Sequence, residues 1–202
     1  MRTVTGLFDD YDDASAAVAE LERAGVPSSD ISVVASNADR RHGEDSDSNA
    51  AEGAGAGAGI GALVGGAGGL LTGLGLMAIP GVGPVVAAGW LAATAVGAAG
   101  GAVAGGAAGG LIGAMTRSGV SEEDANLYAE GVRRGGTLVT ARVEDNLVPE
   151  AEAVLKRQGW VDPAERRAAY REQGWTRFDE TSRPYAAEDI EQERSRYRRS
   201  AI

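Results

Sequence analysis

The sequence predicts an α+β protein: a split ferredoxin-like domain, β-α-β followed by α-β-α-β, with an inserted glycine-zipper α-helical hairpin and a charged C-terminal tail. Three observations lead to this fold class. Residues 1–36 and 117–163 alternate short β-prone runs with runs of helical period. Residues 53–116 contain no charged side chain, and residues 164–202 are dense in charges of both signs.

The first half of the predicted domain is a β-α-β unit. Residues 4–8 are β-prone and lead into acidic residues, which favour a helix start because they complement the positive end of the helix dipole. Gly25 and Pro27 predict the end of that helix, and residues 31–35 read as a buried strand. The helix carries small and aliphatic residues on one face: Ala14, Ala17, Val18 and Leu21.

The second half repeats the pattern. Ser121 with Asp124 predicts a capped helix that runs to about residue 134, and a strand follows at 137–143. Pro149 opens a further helix, Gly159 ends it, and residues 160–161 begin a short last strand. Two such units predict a four-stranded sheet with its helices on one face.

Polar residues 37–52 form an acidic linker between the first half and the insertion. The tail, residues 164–202, has three substantial apolar anchors, Trp175, Phe178 and Tyr185. We expect it to dock through these or to remain mobile, and residues 187–199 to form a solvated helix.

Glycine recurs at every fourth position in two runs of the insertion, residues 53–73 and 97–113. Residues four apart share one helix face, where glycine permits the close approach of a second helix. The predicted contacts for an oligomer or for membrane helices are Gly53, Gly57, Gly61, Gly65, Gly69, Gly73, Gly97, Gly101, Gly105, Gly109 and Gly113.

Two long helices are predicted around a turn at residues 80–84, formed by Pro80, Gly81, Gly83 and Pro84. Residues 53–78 and 85–116 would measure about 39 and 48 Å as helices, and about 20 residues suffice to cross a bilayer core. The flanking Arg40, Arg41 and Arg117 favour a cytoplasmic domain. Because larger apolar residues are few, burial of the hairpin in a soluble assembly and a flexible Gly/Ala linker stay open.

Composition argues against several function classes. The formal net charge of −10 disfavours nucleic-acid binding, and the absence of cysteine excludes disulfides and thiolate sites. The single histidine, His42, lies in the linker, and neither phosphate-binding glycine fingerprint occurs. The acidic clusters at 9–13 and 122–124 fit helix capping, with a weak divalent-cation surface as the alternative. We therefore predict no catalytic residue, no cofactor and no metal site.

Several segments resemble the bacterial heat-induced general stress protein family. They are Val4-Thr5-Gly6-Leu7-Phe8, residues 25–34 (GVPSSDISVV), residues 119–125 (GVSEEDA), residues 128–132 (YAEGV) and residues 135–139 (GGTLV). The resemblance covers roughly residues 3–38 and 119–167. It implies a stress-induced bacterial protein and supplies no catalytic residue.

These observations favour a non-enzymatic stress-response protein that self-associates through a membrane-inserted hairpin, with its α/β domain in the cytoplasm. The expected partners are further copies of the chain and the lipid bilayer, and a small-molecule ligand is left open. One alternative is a soluble oligomeric regulatory module that binds a ligand at a sheet-to-sheet dimer interface. The other is a pore-like membrane assembly.

Overall fold

The computed structural model describes residues 1–38, 75–94, 110–157 and 159–198. Within these ranges five antiparallel strands form one sheet in the order β1-β5-β2-β4-β3. The sheet and its helices confirm the α+β class. The strands are β1 (Arg2–Phe8), β2 (Ile31–Ser36), β3 (Gly75–Ile79), β4 (Gly83–Gly89) and β5 (Thr137–Val143).

Helices in both flanking parts lie where the sequence predicts them. Ser121 caps one of them, because its hydroxyl oxygen accepts a hydrogen bond of 3.1 Å from the backbone N–H of Asp124. Residues 90–94, directly after β4, are also helical. The numbered helices, of which Ser121 caps the third, are α1 (Tyr11–Arg23), α2 (Leu111–Arg117), α3 (Glu122–Arg133), α4 (Val148–Leu155), α5 (Pro163–Glu172) and α6 (Ala187–Arg198).

Helices cover both faces of the sheet, so the prediction that they lie on one face is wrong. On one face, Val33 and Val139 share a core with residues of α1 and α4. On the other, Val34 and Leu138 share a core with residues of α2 and α3. Since side chains alternate along a strand, burial of every residue of β2 requires a cover on each side.

The predicted hairpin of two helices is wrong at its centre. Residues 75–79 and 83–89 are strands, and β4 pairs with β2 from Ser32↔Gly89 to Ser36↔Val85. A turn is present at residues 80–82, where it joins two strands, and Gly83 and Pro84 of the predicted turn belong to β4. A turn rich in Gly and Pro between two short apolar runs, the second containing adjacent valines, is typical of a β-hairpin. The period-four glycines around this segment therefore misled the helix prediction.

Gly89 shows why the end of β4 requires glycine. Its φ is +87°, and a Cβ atom there would lie 2.2 Å from the carbonyl oxygen of Ile31. Only glycine allows β2 and β4 to approach this closely.

The predicted last strand is reduced to one bridge, between Trp160 and Phe8. The backbone N–H of Val161 donates to the carbonyl of Leu7 at 2.9 Å.

Of the eleven predicted zipper glycines, only Gly113 lies within the described residues. It is buried in α2. The others, Gly53, Gly57, Gly61, Gly65, Gly69, Gly73, Gly97, Gly101, Gly105 and Gly109, fall outside the described ranges. Among the helices in those ranges, none combines the length and apolar character needed to cross a membrane.

Candidate functional site

Residues 80–84 lie against residues 178–184 of the C-terminal segment. We call these two segments together the turn contact. Gly81 and Gly83 adopt positive φ angles of 74° and 101°. Val82, between them, is 1% exposed and belongs to the same core as Phe178. The turn is therefore an internal part of the domain.

Both glycines of the turn are needed because the tail backbone and side chains approach them closely. A Cβ atom on Gly81 would lie 2.6 Å from the Cα atom of Glu180. One on Gly83 would lie 2.8 Å from the Cβ atom of Pro184. The two predicted turn glycines thus allow the tail to pack closely against them, and they also let the chain reverse direction.

Asp179 holds the tail loop in the shape that meets Gly81. Its carboxylate accepts a 2.8 Å bond from the backbone N–H of Thr181 and a 2.6 Å bond from the Thr181 hydroxyl. The Ser182 hydroxyl donates to the second oxygen at 3.2 Å. The Thr181 hydrogen bonds lower the pKa of Asp179 below its ordinary value.

Replacing Gly81 by alanine should destabilise the protein more than replacing Gly119 by alanine. Both residues have positive φ, so each substitution costs about 1–2 kcal/mol in backbone strain. Nothing lies within 4 Å of the Cβ position at Gly119, whereas the tail backbone blocks that position at Gly81. We expect a further loss of about 1–3 kcal/mol for Gly81→Ala, measured by urea unfolding. Equal losses for the two variants would contradict the close approach of turn and tail.

An open groove of about 1060 Å³ adjoins the turn contact, between α2 and residues 176–181. Phe178 forms part of its floor and is 7% exposed. Arg177 and Glu122 face each other at 3.4 Å on the exposed rim. Such a surface can hold a chain segment or a small molecule. It is lined by Ile112, Gly113, Thr116, Arg117, Val120, Glu122, Thr176, Arg177, Phe178, Asp179, Glu180 and Thr181.

A buried ion network fixes the tail to the C-terminal end of α3. Glu130, whose side chain is 0% exposed, accepts from Arg133 at 2.6 Å and from Arg134 at 2.5 Å. Arg134 also donates to Glu193 of α6 at 2.8 Å and to Gln173 after α5. Burial acts to lower the pKa of Arg134, but its bonds to Glu130 and Glu193 leave the pKa above its ordinary value. Arg134 therefore stays charged.

A second group of contacts ties α5 to the end of β1. Arg166 forms a two-pronged pair with Asp9, with both nitrogen–oxygen distances at 2.7 Å. Its guanidinium also lies 3.7 Å from the ring centroid of Tyr197, while that of Arg134 lies 4.0 Å from the Tyr170 ring. Burial raises the pKa of Tyr170 above its ordinary value, so the phenol stays neutral.

Both acidic clusters form ion pairs with arginines of the tail. Asp124 pairs with Arg167 at 2.5 Å, Glu123 with Arg167 at 3.2 Å, and Asp9 with Arg166. In the first cluster, partial burial raises the pKa of Asp13, and the negative charges of the neighbouring aspartates raise it further. Among the residues the structure describes, no group of side chains is arranged to hold a metal ion.

Sequence reasoning identified two of the tail's anchors but missed its ion network. Trp175 and Phe178 are buried, whereas Tyr185 is half-buried beneath the Arg133 guanidinium at 5.0 Å. The predicted solvated helix is α6, yet it buries a face formed by Ile190, Glu193 and Arg194. The 3 and 4 spacing of these residues, continued by Tyr197, was the available signal.

Residues 3–82 match the family model described as the heat-induced stress protein YflT domain. Searches of curated proteins and of solved structures each found no match. The matched range contains β1, α1, β2 and β3, and does not include 119–167, where the resemblance remains a prediction. This match therefore supports the heat-induced general stress protein family, as the opening segments of the sequence predict.

Proposed function

We propose that the protein is a non-enzymatic stress-response protein whose copies self-associate through two uncharged, glycine-rich stretches, residues 53–74 and 95–109. The family match supports the stress-response assignment. The observation that carries self-association is the period-four glycine spacing in two stretches, each of which lies in the chain between parts of one folded domain. Interior glycines cost about 0.8–1 kcal/mol each in a helix relative to alanine, so such helices need close packing in return.

The domain holds the described residues that flank both stretches along the chain. Asn37 donates its backbone N–H to the carbonyl of Pro84 at 2.9 Å, and Gly75 pairs with Ala87 in β4. Thr94 is the last described residue of the helix after β4, and Gly110 precedes α2, whose Leu111 is 2% exposed. Each stretch therefore leaves the domain and returns to it.

This anchoring makes association between copies a better explanation than a membrane span. A stretch that returns to the same domain must cross a bilayer an even number of times, and two crossings need about 40 apolar residues. The uncharged stretches contain 22 and 15 residues. Burial against the same stretches of other copies needs no minimum length of this kind.

Insertion into the cytoplasmic membrane, with the α+β domain in the cytoplasm, is our second candidate. The lack of any charge in residues 53–74 favours it, because an uncharged helix satisfies its backbone internally in lipid. Arg117, exposed at the end of α2, would then face the cytoplasm. A regulatory site at a sheet-to-sheet dimer interface is disfavoured, because helices cover both faces of the sheet.

Leucine in place of two ridge glycines should disrupt the assembly. We expect Gly65→Leu combined with Gly105→Leu to abolish the crosslinked species formed by the wild-type chain in cells, because leucine prevents close helix approach. The matched control is Gly59→Leu with Ala107→Leu, each two residues from a ridge position and so on the opposite face of a helix. Equal crosslinking of both double variants would refute the ridge contact.

A carbonate wash of membranes from the same cells separates the two candidates. Recovery of the crosslinked species in the supernatant supports association between copies without insertion. Retention in the washed pellet, with release by mild detergent, would support insertion instead. Leakage from vesicles loaded with a dye then tests whether an inserted assembly forms a pore.

A further inference from the structure

The outer side of β3 offers a row of backbone groups that no described residue pairs with. The strand lies at the edge of the five-stranded sheet, with β4 on its inner side. Gly75 and Ala78 are exposed. An edge strand of this kind is a template for pairing with a further strand.

The register identifies which groups point outwards. Pro84 directs its carbonyl towards β2, where it accepts from Asn37, so its partner Ala78 directs its N–H and C=O away from β4. Backbone direction alternates along a strand, so Leu76 also points outwards and Met77 bonds to Val85. Leu76 and Ala78 thus provide two donors and two acceptors on the open edge.

Three common protections of an edge strand, a charged side chain, a proline and a bulge, do not occur in β3 as the structure describes it. Residues 75–79 include no charged side chain and no proline, and their pairing with β4 runs without a bulge from Gly75↔Ala87 to Ile79↔Gly83. In a chain of net charge −10, an uncharged edge is where a second copy meets the least repulsion.

We propose that β3 pairs with the β3 strand of a second copy, antiparallel and in a register centred on Met77. This register places Leu76 of one copy opposite Ala78 of the other, which gives four N–H···O bonds related by a two-fold axis. A contact of five residues is too small to hold a dimer alone. The inference therefore rests on the association proposed above, and β3 directly follows the first glycine-rich stretch along the chain.

Hydrogen exchange of single amides tests the register in the full-length chain. We expect the Leu76 and Ala78 amides to become protected as protein concentration rises, whereas Met77 is protected throughout by its bond to β4. Protection of Leu76 and Ala78 that is independent of concentration would show that a segment of the same chain occupies the edge, and would overturn the proposal.

Ala78→Pro removes one donor from each copy without touching the ladder to β4, and proline is tolerated at an edge. Loss of two of the four bonds should raise the dissociation constant about thirtyfold, measured by sedimentation. Ala78→Val keeps the N–H and should leave the constant within about threefold. If Ala78→Pro associates like wild type while Gly65→Leu with Gly105→Leu does not, β3 pairing is refuted and the glycine contact stands. A wild-type chain that never associates would refute both.

Discussion

Glu130→Ala should lower the free energy of unfolding by about 3–5 kcal/mol, because it removes the acceptor from a buried ion network. The Glu130 carboxylate binds Arg133 and Arg134, and the Arg134 side chain is only 5% exposed. Without Glu130, the buried Arg134 guanidinium keeps only its bonds to α6 and to Gln173. Urea unfolding followed by circular dichroism measures the loss.

The control for this substitution is Glu123→Ala. Glu123 also pairs with arginines of α5, but its side chain is 64% exposed, so its loss should cost no more than about 1 kcal/mol. Similar losses for the two variants would show that the buried network does not fix the tail.

Phe178→Ala should cost about 3–5 kcal/mol, the range for truncating a buried phenylalanine. The side chain shares a core with Val82 of the turn, Leu111 of α2 and Val34 of the sheet. Its loss opens a cavity where three segments distant in sequence meet, so we expect the tail and the turn to loosen together. Calorimetry measures the stability, and limited proteolysis measures the release of the tail.

Two further variants make the second prediction specific. Phe178→Leu retains most of the apolar volume and should cost less than the truncation. Thr176→Ala alters an exposed residue of the same loop and should change stability by no more than about 0.5 kcal/mol. A tail that behaves as an independent appendage would give small losses for all three substitutions.

The flanking elements were predictable because each carries a local signal. The Ser121 cap, the turn at Gly135 and the alternating residues 137–143 lead directly to α3 and β5. The order of the strands could not be read from these signals, since β4 and β3 reach the sheet from a segment that resembles a membrane hairpin. Its β character depends on pairing with β2, which is a tertiary interaction.

The packing of the tail was harder to predict from the sequence than the order of the strands. Dense mixed charge is typical of a solvated segment, and the pairs Arg134–Glu193 and Arg166–Asp9 exist only because residues distant in sequence meet in the fold. For the candidate site, the sequence indicated the turn residues but not that the tail lies on them. The contact of Glu180 with Gly81 follows from docking of the tail and has no local pattern.

Sedimentation velocity of the full-length chain in detergent-free solution tests the central claim most directly. The account predicts a discrete oligomer that dissociates on dilution, and a monomer for Gly65→Leu with Gly105→Leu under the same conditions. A wild-type chain that stays monomeric without detergent and assembles only in lipid would contradict the account. The glycine-rich stretches would then associate within a membrane and not between copies in solution.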